Sequence, residues 1–184
     1  ELGLIIEKHY EKPMDIEWGK DGQDGKIYIL QARPETVHSK IKTTLSQYVL
    51  NEKSKIIITG KSIGQRIGQG ATKIIDDPKN MYQINEGDIL VADMTDPDWE
   101  PVMKKAAAII TNRGGRTCHA AIIARELGIP AIVGTNDATK ILKNNKEVTV
   151  CCSEGEVGRV YEGLLKFEVV ETEISNLPNI PTKL

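Results

Sequence analysis

Apolar residues along this chain fall mostly into short runs and period-two alternations. Leu2, Leu4, Ile5 and Ile6 crowd the opening residues and predict a helix over 1–9. Met14 to Gly19 and Lys26 to Ala32 alternate, with Lys20-Asp21-Gly22 and Gly25 between them, which predicts a β-hairpin. In its first strand Met14, Ile16 and Trp18 share one face, and Asp15 and Glu17 share the other. In the second, Tyr28 and Leu30 alternate with Ile27, Ile29 and Gln31. From Thr36 to about Lys55 the chain is polar, has no Gly or Pro, and reads as a connection with room for some helix. About 15 extended residues reach at most about 50 Å, enough to tether a moving domain. His9 and His38 read as solvated surface residues.

Ile56 to Thr59 is a short β-branched strand. Gly60, Gly64, Gly68 and Gly70 follow without the Lys-Ser/Thr ending and helix of a phosphate loop, so bends and bulges in a sheet are expected. Strands follow at Ala71 to Ile75 and, after Gly87-Asp88, at Ile89 to Ala92. Asp96 or Thr95 caps a helix with Pro97 at its first position and Trp99, Val102, Met103 and Ala106 on its apolar face. Ala106 to Thr111 is a buried strand, interrupted by Gly114 and Gly115. Ala121, Ile122, Ala124 and Leu127 then recur at helical spacing until Gly128-Ile129-Pro130 ends the helix. Ala131 to Gly134 is a strand, and Asn136 to Leu142 a short helix capped by Asn136. Lys146 to Cys152 and Val157 to Tyr161 pair around Ser153-Glu154-Gly155. Strands alternating with fewer helices argue an α/β core over 56–161. Glu171 to Leu184 is polar and punctuated by proline, a linker.

The 184 residues suffice for one ordinary domain with appendages. Charged residues are 27% and the net charge is -2, so no basic excess points to nucleic acid or an anionic membrane. No run approaches a membrane span and no signal peptide opens the chain. Three cysteines without metal spacing fit a reducing, cytoplasmic setting. The chain starts inside a helical pattern without Met and ends in a linker, which predicts the middle piece of a larger enzyme.

The candidate chemistry gathers at Arg116-Thr117-Cys118-His119. His119 stands at a helix start behind a Gly-Gly turn, where unpaired N–H groups and the helix dipole favour an anion, phosphate above all. A neutral imidazole is a nucleophile, and phosphoryl transfer to it needs donors and positive charge around three oxygens. Arg116, the Thr117 hydroxyl and the helix N-terminus are placed to supply them. A packing or capping histidine is the plainer reading, and the convergence of Gly pair, Arg, Thr and His weighs against it. A thiol role for Cys118 beside His119 is disfavoured because adjacent side chains diverge around a helix. On the hairpin, carboxylate and amide oxygens of neighbouring strands can bind a Mg²⁺ that carries nucleotide phosphates, and Arg33 can fork onto a phosphate.

GGRTCHAAIIARELGIPAIVG resembles the phosphohistidine signature of the phosphoenolpyruvate-utilising enzymes. The resemblance implies that His119 is phosphorylated at its tele nitrogen and that Thr95, in the Asp-x-Thr element of DMTDPDWEPVMKKA, lies beside it. MDIEWGKDG followed by KIYILQARPETV resembles the end of the family's ATP-grasp-like nucleotide domain. That implies Glu17 and Gln31 as metal–nucleotide ligands, Arg33 as a phosphate contact, and Gly114 and Gly115 as the phosphate-side turn. ILQARPET is closer to the branch that consumes water than to pyruvate phosphate dikinase, which consumes phosphate. The implied organisation is the nucleotide-domain end at 1–36, a linker at 37–55, a three-layer β/β/α swivelling phosphohistidine domain at 56–161, and a linker at 162–184 toward a phosphoenolpyruvate/pyruvate barrel. The implied cofactors are ATP and Mg²⁺. The implied partners are the chain's own nucleotide domain and barrel, with small-molecule substrates and a homo-oligomeric full-length enzyme. A non-catalytic docking module of the same fold is the alternative outside enzymes, and loss of His119 or the Gly pair would have favoured it. Asn144-Asn145 and Cys151-Cys152 depart from the family, which often carries a Gly turn and an Asp there. Asn tolerates the same turn angles, and the cysteine pair reads as packing.

Overall fold

A computed structural model describes residues 2–34 and 44–173 as two compact units, dividing between Thr43 and Thr44. The first contains α1 (Leu2–Tyr10), β1 (Met14–Lys20) and β2 (Ile27–Pro34). The two strands pair antiparallel with Asp15 opposite Arg33 and Glu17 opposite Gln31. A bulge between Glu17 and Trp18 breaks the alternation. Trp18 is therefore exposed, against the expectation that it shares the face of Met14 and Ile16.

In the second unit β4 (Ile56–Ile63), β5 (Ile67–Ile74), β6 (Ile89–Ala92), β7 (Ala108–Thr111), β8 (Ala131–Val133), β9 (Glu147–Cys151) and β10 (Val157–Glu162) close a seven-stranded barrel in the order β10-β4-β8-β7-β6-β5-β9. The run β5-β6-β7-β8 is parallel and the remaining pairs are antiparallel. Parallel strands need crossovers, and here the crossovers carry α2 (Glu100–Met103) and α3 (His119–Leu127). Both faces of β6 are consequently buried. Ile89 and Val91 join Ala108, Ile110, Ile132, Val148 and Val150 inside the barrel. Leu90 and Ala92 join Trp99, Val102, Met103, Ala120, Ala121 and Ala124 under the helices. This is a three-layer β/β/α arrangement whose two β layers meet at their edges. It explains why ILVA and AIIT read as unbroken apolar runs.

Several local expectations change. β4 runs through Gly60, which makes room where a bend was expected. Gly60 pairs with Gly158 on β10, and a β-carbon at either would stand within 2.7 Å of the Ile132 side chain. The helix of the third layer faces the core with Ala121, Ala124 and Leu127 as expected, but Ala120 and Ile123 complete that face and Ile122 is 45% exposed. α4 (Ala138–Ile141) is not capped by Asn136, which is left-handed at φ 69°. Its Thr139 amide donates instead to Asn112 Oδ1 at 3.1 Å.

Two segments expected as linkers contain strands. β3 (Thr44–Leu50) pairs antiparallel with β11 (Phe167–Glu173), Thr44 opposite Glu173 and Leu50 opposite Phe167. Tyr48, Leu50, Leu165 and Phe167 pack over Ile67, Cys151 and Tyr161 on the barrel wall. The second unit therefore extends beyond 56–161 on both sides, and residues 37–43 of the expected linker lie outside the described residues. Among the described residues no helix is long and apolar enough to cross a membrane.

Candidate active site around His119

β6 and β7 end side by side, Ala92 opposite Thr111, and the loops that follow them carry the chemistry. The chains stay stitched past the strands, Asn112 N–H donating to Ala92 O at 3.1 Å and Arg113 N–H to Asp93 O at 2.9 Å. Gly114 then turns the backbone at φ 116°, and a β-carbon there would meet the Cys118 sulfur at 2.7 Å. Only glycine satisfies both constraints. Gly115 is different: its φ is not positive, and a β-carbon there would meet nothing within 4 Å.

α3 starts at His119. Cys118 at its N-cap makes no side-chain hydrogen bond to the first turn, so no side chain caps the helix's positive end. The Cys118 side chain packs on the helix-side core. His119 is half-buried, with Nδ1 3.2 Å from Thr95 Oγ1. Thr95 is 6% exposed and lies in the loop after β6. Asp96, the next residue, caps the 3-10 turn Pro97–Trp99 by accepting from the Asp98 amide, which fixes where Thr95 stands. With Nδ1 engaged, Nε2 is the ring nitrogen without a hydrogen-bond partner among the described residues. Thr117 is exposed, and its hydroxyl has no hydrogen-bond partner among the described residues. The Arg116 guanidinium pairs with Glu156 at 2.9 Å, and its carbonyl accepts from Arg125 at 2.7 Å. Glu100 on α2 has its carboxyl held below the usual range by the hydrogen bond and charge of Lys104, with a smaller contribution from His119.

Two residues of this constellation escaped the sequence reading. Glu156 comes from the β9–β10 turn and meets Arg116 only in the fold. Asn112 is 6% exposed and fully engaged. Its Nδ2 donates to Asp93 Oδ1 at 3.0 Å and to Thr139 Oγ1 at 2.7 Å, and Asp93 Oδ2 pairs with Arg113 at 3.0 Å. A buried-polar signal was present in Thr111-Asn112, directly after an apolar strand, but its partners are 19 and 27 residues away.

On the hairpin, Glu17 and Gln31 are direct cross-strand partners and both are exposed. Arg33 Nε donates to Asp15 at 2.9 Å on the same face. Among the described residues no three His, Cys, Asp or Glu side chains converge as a metal cluster. Two oxygen donors fit a Mg²⁺ held mainly by phosphate and water, as is usual for that ion.

Residues 84–155 match the family "PEP-utilising enzyme, mobile domain", and residues 1–53 match "Pyruvate phosphate dikinase, AMP/ATP-binding domain". The chain is 58% identical to the phosphoenolpyruvate synthase of Pseudomonas aeruginosa over 98% of its own length and 23% of that protein's. It is 58% identical to the phosphoenolpyruvate synthase of Escherichia coli over 97% of its length and 22% of that protein's. The probable phosphoenolpyruvate synthase of Archaeoglobus fulgidus is 50% identical over 97% of this chain and 23% of its own length. The chain thus spans about a quarter of the length of these relatives. An NMR solution structure of an Enzyme I protein aligns with 44% of this chain and 33% of its own at 35% identity and a TM-score of 0.38. The histidine turn, the Asp-x-Thr loop and the nucleotide-domain hairpin all fall within or beside these matches, and the chain belongs to the phosphoenolpyruvate-utilising enzymes.

Proposed function

We propose that this chain is the phosphoryl-carrier part of a pyruvate, water dikinase, which turns ATP, pyruvate and water into AMP, phosphoenolpyruvate and phosphate. The observation that carries the reading is the 3.2 Å contact between Thr95 Oγ1 and His119 Nδ1. In the tautomer with its proton on Nδ1, the ring donates to Thr95 and Nε2 keeps its lone pair. Nε2 attacks the β-phosphorus of ATP, the N–P bond forms, and the bond to the α-phosphate oxygen breaks with its electron pair leaving on AMP. Water then attacks the γ-phosphorus and releases it as phosphate, so one phosphoryl group stays on Nε2. The ring becomes a cation, and the same Nδ1–H hydrogen bond gains strength from that charge. The α3 N-terminus and the Thr117 hydroxyl receive the phosphoryl oxygens, and Arg116 leaves Glu156 to join them. In the second half-reaction the enolate oxygen of pyruvate attacks the same phosphorus, and the electron pair of the N–P bond returns to Nε2.

Glu17 and Gln31 hold Mg²⁺ on the nucleotide phosphates, and Arg33 contacts a phosphate. The ion supplies charge neutralisation and alignment of those phosphates. The nucleotide domain and the barrel for pyruvate are the partners, and the work is cytoplasmic.

The test uses a protein of the relatives' length that carries this chain. It is incubated with ATP labelled at the β or γ phosphate, and the adduct is mapped. We expect one acid-labile label on His119, absent in His119→Asn, and turnover that needs no added phosphate. An acid-stable label, or one surviving His119→Asn, rules the assignment out.

A further inference from the structure

We propose that Asn112 is a positioning residue that selects which imidazole nitrogen of His119 takes the phosphoryl group. This rests on the phosphoryl-carrier reading above. Asn112 follows β7 directly, before the Gly turn, and makes no hydrogen bond to His119 among the described residues. Its contacts nonetheless hold the Asp93 side chain at the near end of the loop whose far end the Asp96 cap fixes, with Thr95 between them. The Thr139 amide can only donate, so the acceptor facing it at 3.1 Å is Oδ1. That orientation turns Nδ2 toward Asp93, to whose Oδ1 it donates at 3.0 Å, and toward Thr139 Oγ1 at 2.7 Å. The other Asp93 oxygen is taken by Arg113. Asp93 is two residues before Thr95 and begins the loop after β6. Both of its carboxylate oxygens are thereby fastened to the segment that leads into the His119 turn.

The consequence is chemical. A neutral imidazole offers one lone pair, on Nε2 when the proton sits on Nδ1 and on Nδ1 when it sits on Nε2. On the carrier reading, which needs the lone pair on Nε2, the contact is Nδ1–H donating to Thr95 Oγ1, and it holds the first form only while Thr95 stays within reach of Nδ1. A loop freed at Asp93 lets Thr95 withdraw, both tautomers become populated, and Nδ1 competes as the nucleophile.

Phosphoramidate tests this on the 184-residue chain. It transfers its phosphoryl group to histidine, forming an N–P bond and leaving as ammonia. Asn112→Asp keeps an oxygen for the Thr139 amide but puts a carboxylate where the donor to Asp93 stood. Thr139→Ala removes the hydroxyl on the α4 side and leaves the Asp93 link. Ring-¹⁵N NMR at pH 8.5, above the ordinary imidazole range, reports the tautomer of His119, assigned by its absence in His119→Asn. ³¹P NMR of the adduct reports the isomer. Wild type and Thr139→Ala are expected to hold the Nδ1–H tautomer and to give the Nε2 adduct. Asn112→Asp, with a wild-type amide spectrum away from the site, is expected to shift toward the other tautomer and raise the Nδ1 adduct at least several-fold. If Asn112→Asp does not keep that spectrum, Asn112→Ser, which cannot span to Asp93, is read the same way. Wild-type tautomer and isomer ratio in a folded Asn112 variant overturn the proposal. Failure of the carrier reading is separate, because it appears as absence of ATP-derived label on His119 in the full-length wild type.

Discussion

At the scale of single residues, the two glycines of the turn have different duties. Gly114 is held at φ 116° against the Cys118 sulfur, so Gly114→Ala combines strain with a clash. Thermal melting should show a loss of about 1–3 kcal/mol. Gly115→Ala meets nothing and should melt like wild type. If the turn carries the phosphoryl oxygens, as proposed, a methyl on it should still slow labelling of His119 on the order of tenfold by misplacing them. Equal melting losses in the two variants would contradict the division. Cys152 gives a pH prediction. Burial pushes its thiol up to about 11 from its ordinary 9.0. Between those values the unfolded chain has released the proton and the folded chain has kept it, so stability falls as pH rises. The loss attributable to this group approaches about 2–3 kcal/mol by pH 11 and is absent below pH 9. Denaturant melts of wild type and Cys152→Ala should therefore converge by roughly that amount between pH 9 and 11. Parallel curves would show that the thiol does not titrate in this window.

At the scale of elements, the barrel is narrow at Ile132. That side chain is fully buried in a gap that exists because the register partners Gly60 and Gly158 both lack a β-carbon. Gly158→Ala overfills the gap, and the expected cost is about 1–3 kcal/mol by calorimetry. Combining it with Ile132→Val should recover part of the loss, since the smaller side chain frees the space; additive losses would contradict a shared contact. The pairing of β3 with β11 is the other feature of this scale. Its strands lie more than 100 residues apart in sequence, and Tyr48 stacks on Phe167 with ring centroids 6.0 Å apart. The first strand of the second unit and the last strand described in it are therefore neighbours.

At the scale of the whole chain, the proposed function divides between the two units. The proposed nucleotide ligands Glu17, Gln31 and Arg33 are in the first, and Thr95 and His119 in the second. In a protein of the relatives' length, Glu17→Ala should abolish phosphorylation of His119 by ATP. It should leave transfer from phosphoenolpyruvate back to His119 within a few-fold of wild type. Equal loss of both half-reactions would falsify the split. The 184-residue chain alone should form no AMP from ATP and pyruvate, since a two-stranded hairpin is a marginal nucleotide site.

Short-range pattern sufficed for the strands β4 and β6 to β10, for α1 and α3, and for the existence of the hairpin, but it gave only the second half of β5, whose Gly68 and Gly70 read as bends. Each follows from periodicity and turn chemistry within about ten residues, and both faces of ILVA and AIIT are apolar because helices cover one of them. The placement of His119 behind Gly114 and the Asp96 cap before Pro97 were equally local and equally legible. What tertiary structure decided was every relation across distance in the chain. The pairing of β3 with β11 carries no turn signal, so both strands read as linkers. Asn136 looked like a cap, yet the cap of α4 is Asn112, supplied from the end of another strand. Trp18 changed faces through a bulge that alternation cannot announce. The hold of Glu156 on Arg116 and the ties of Asn112 to Asp93 and Thr139 depend on which loops the closed barrel brings to one end. Barrel closure is a property of many strand pairings at once, and no window of the sequence contains it.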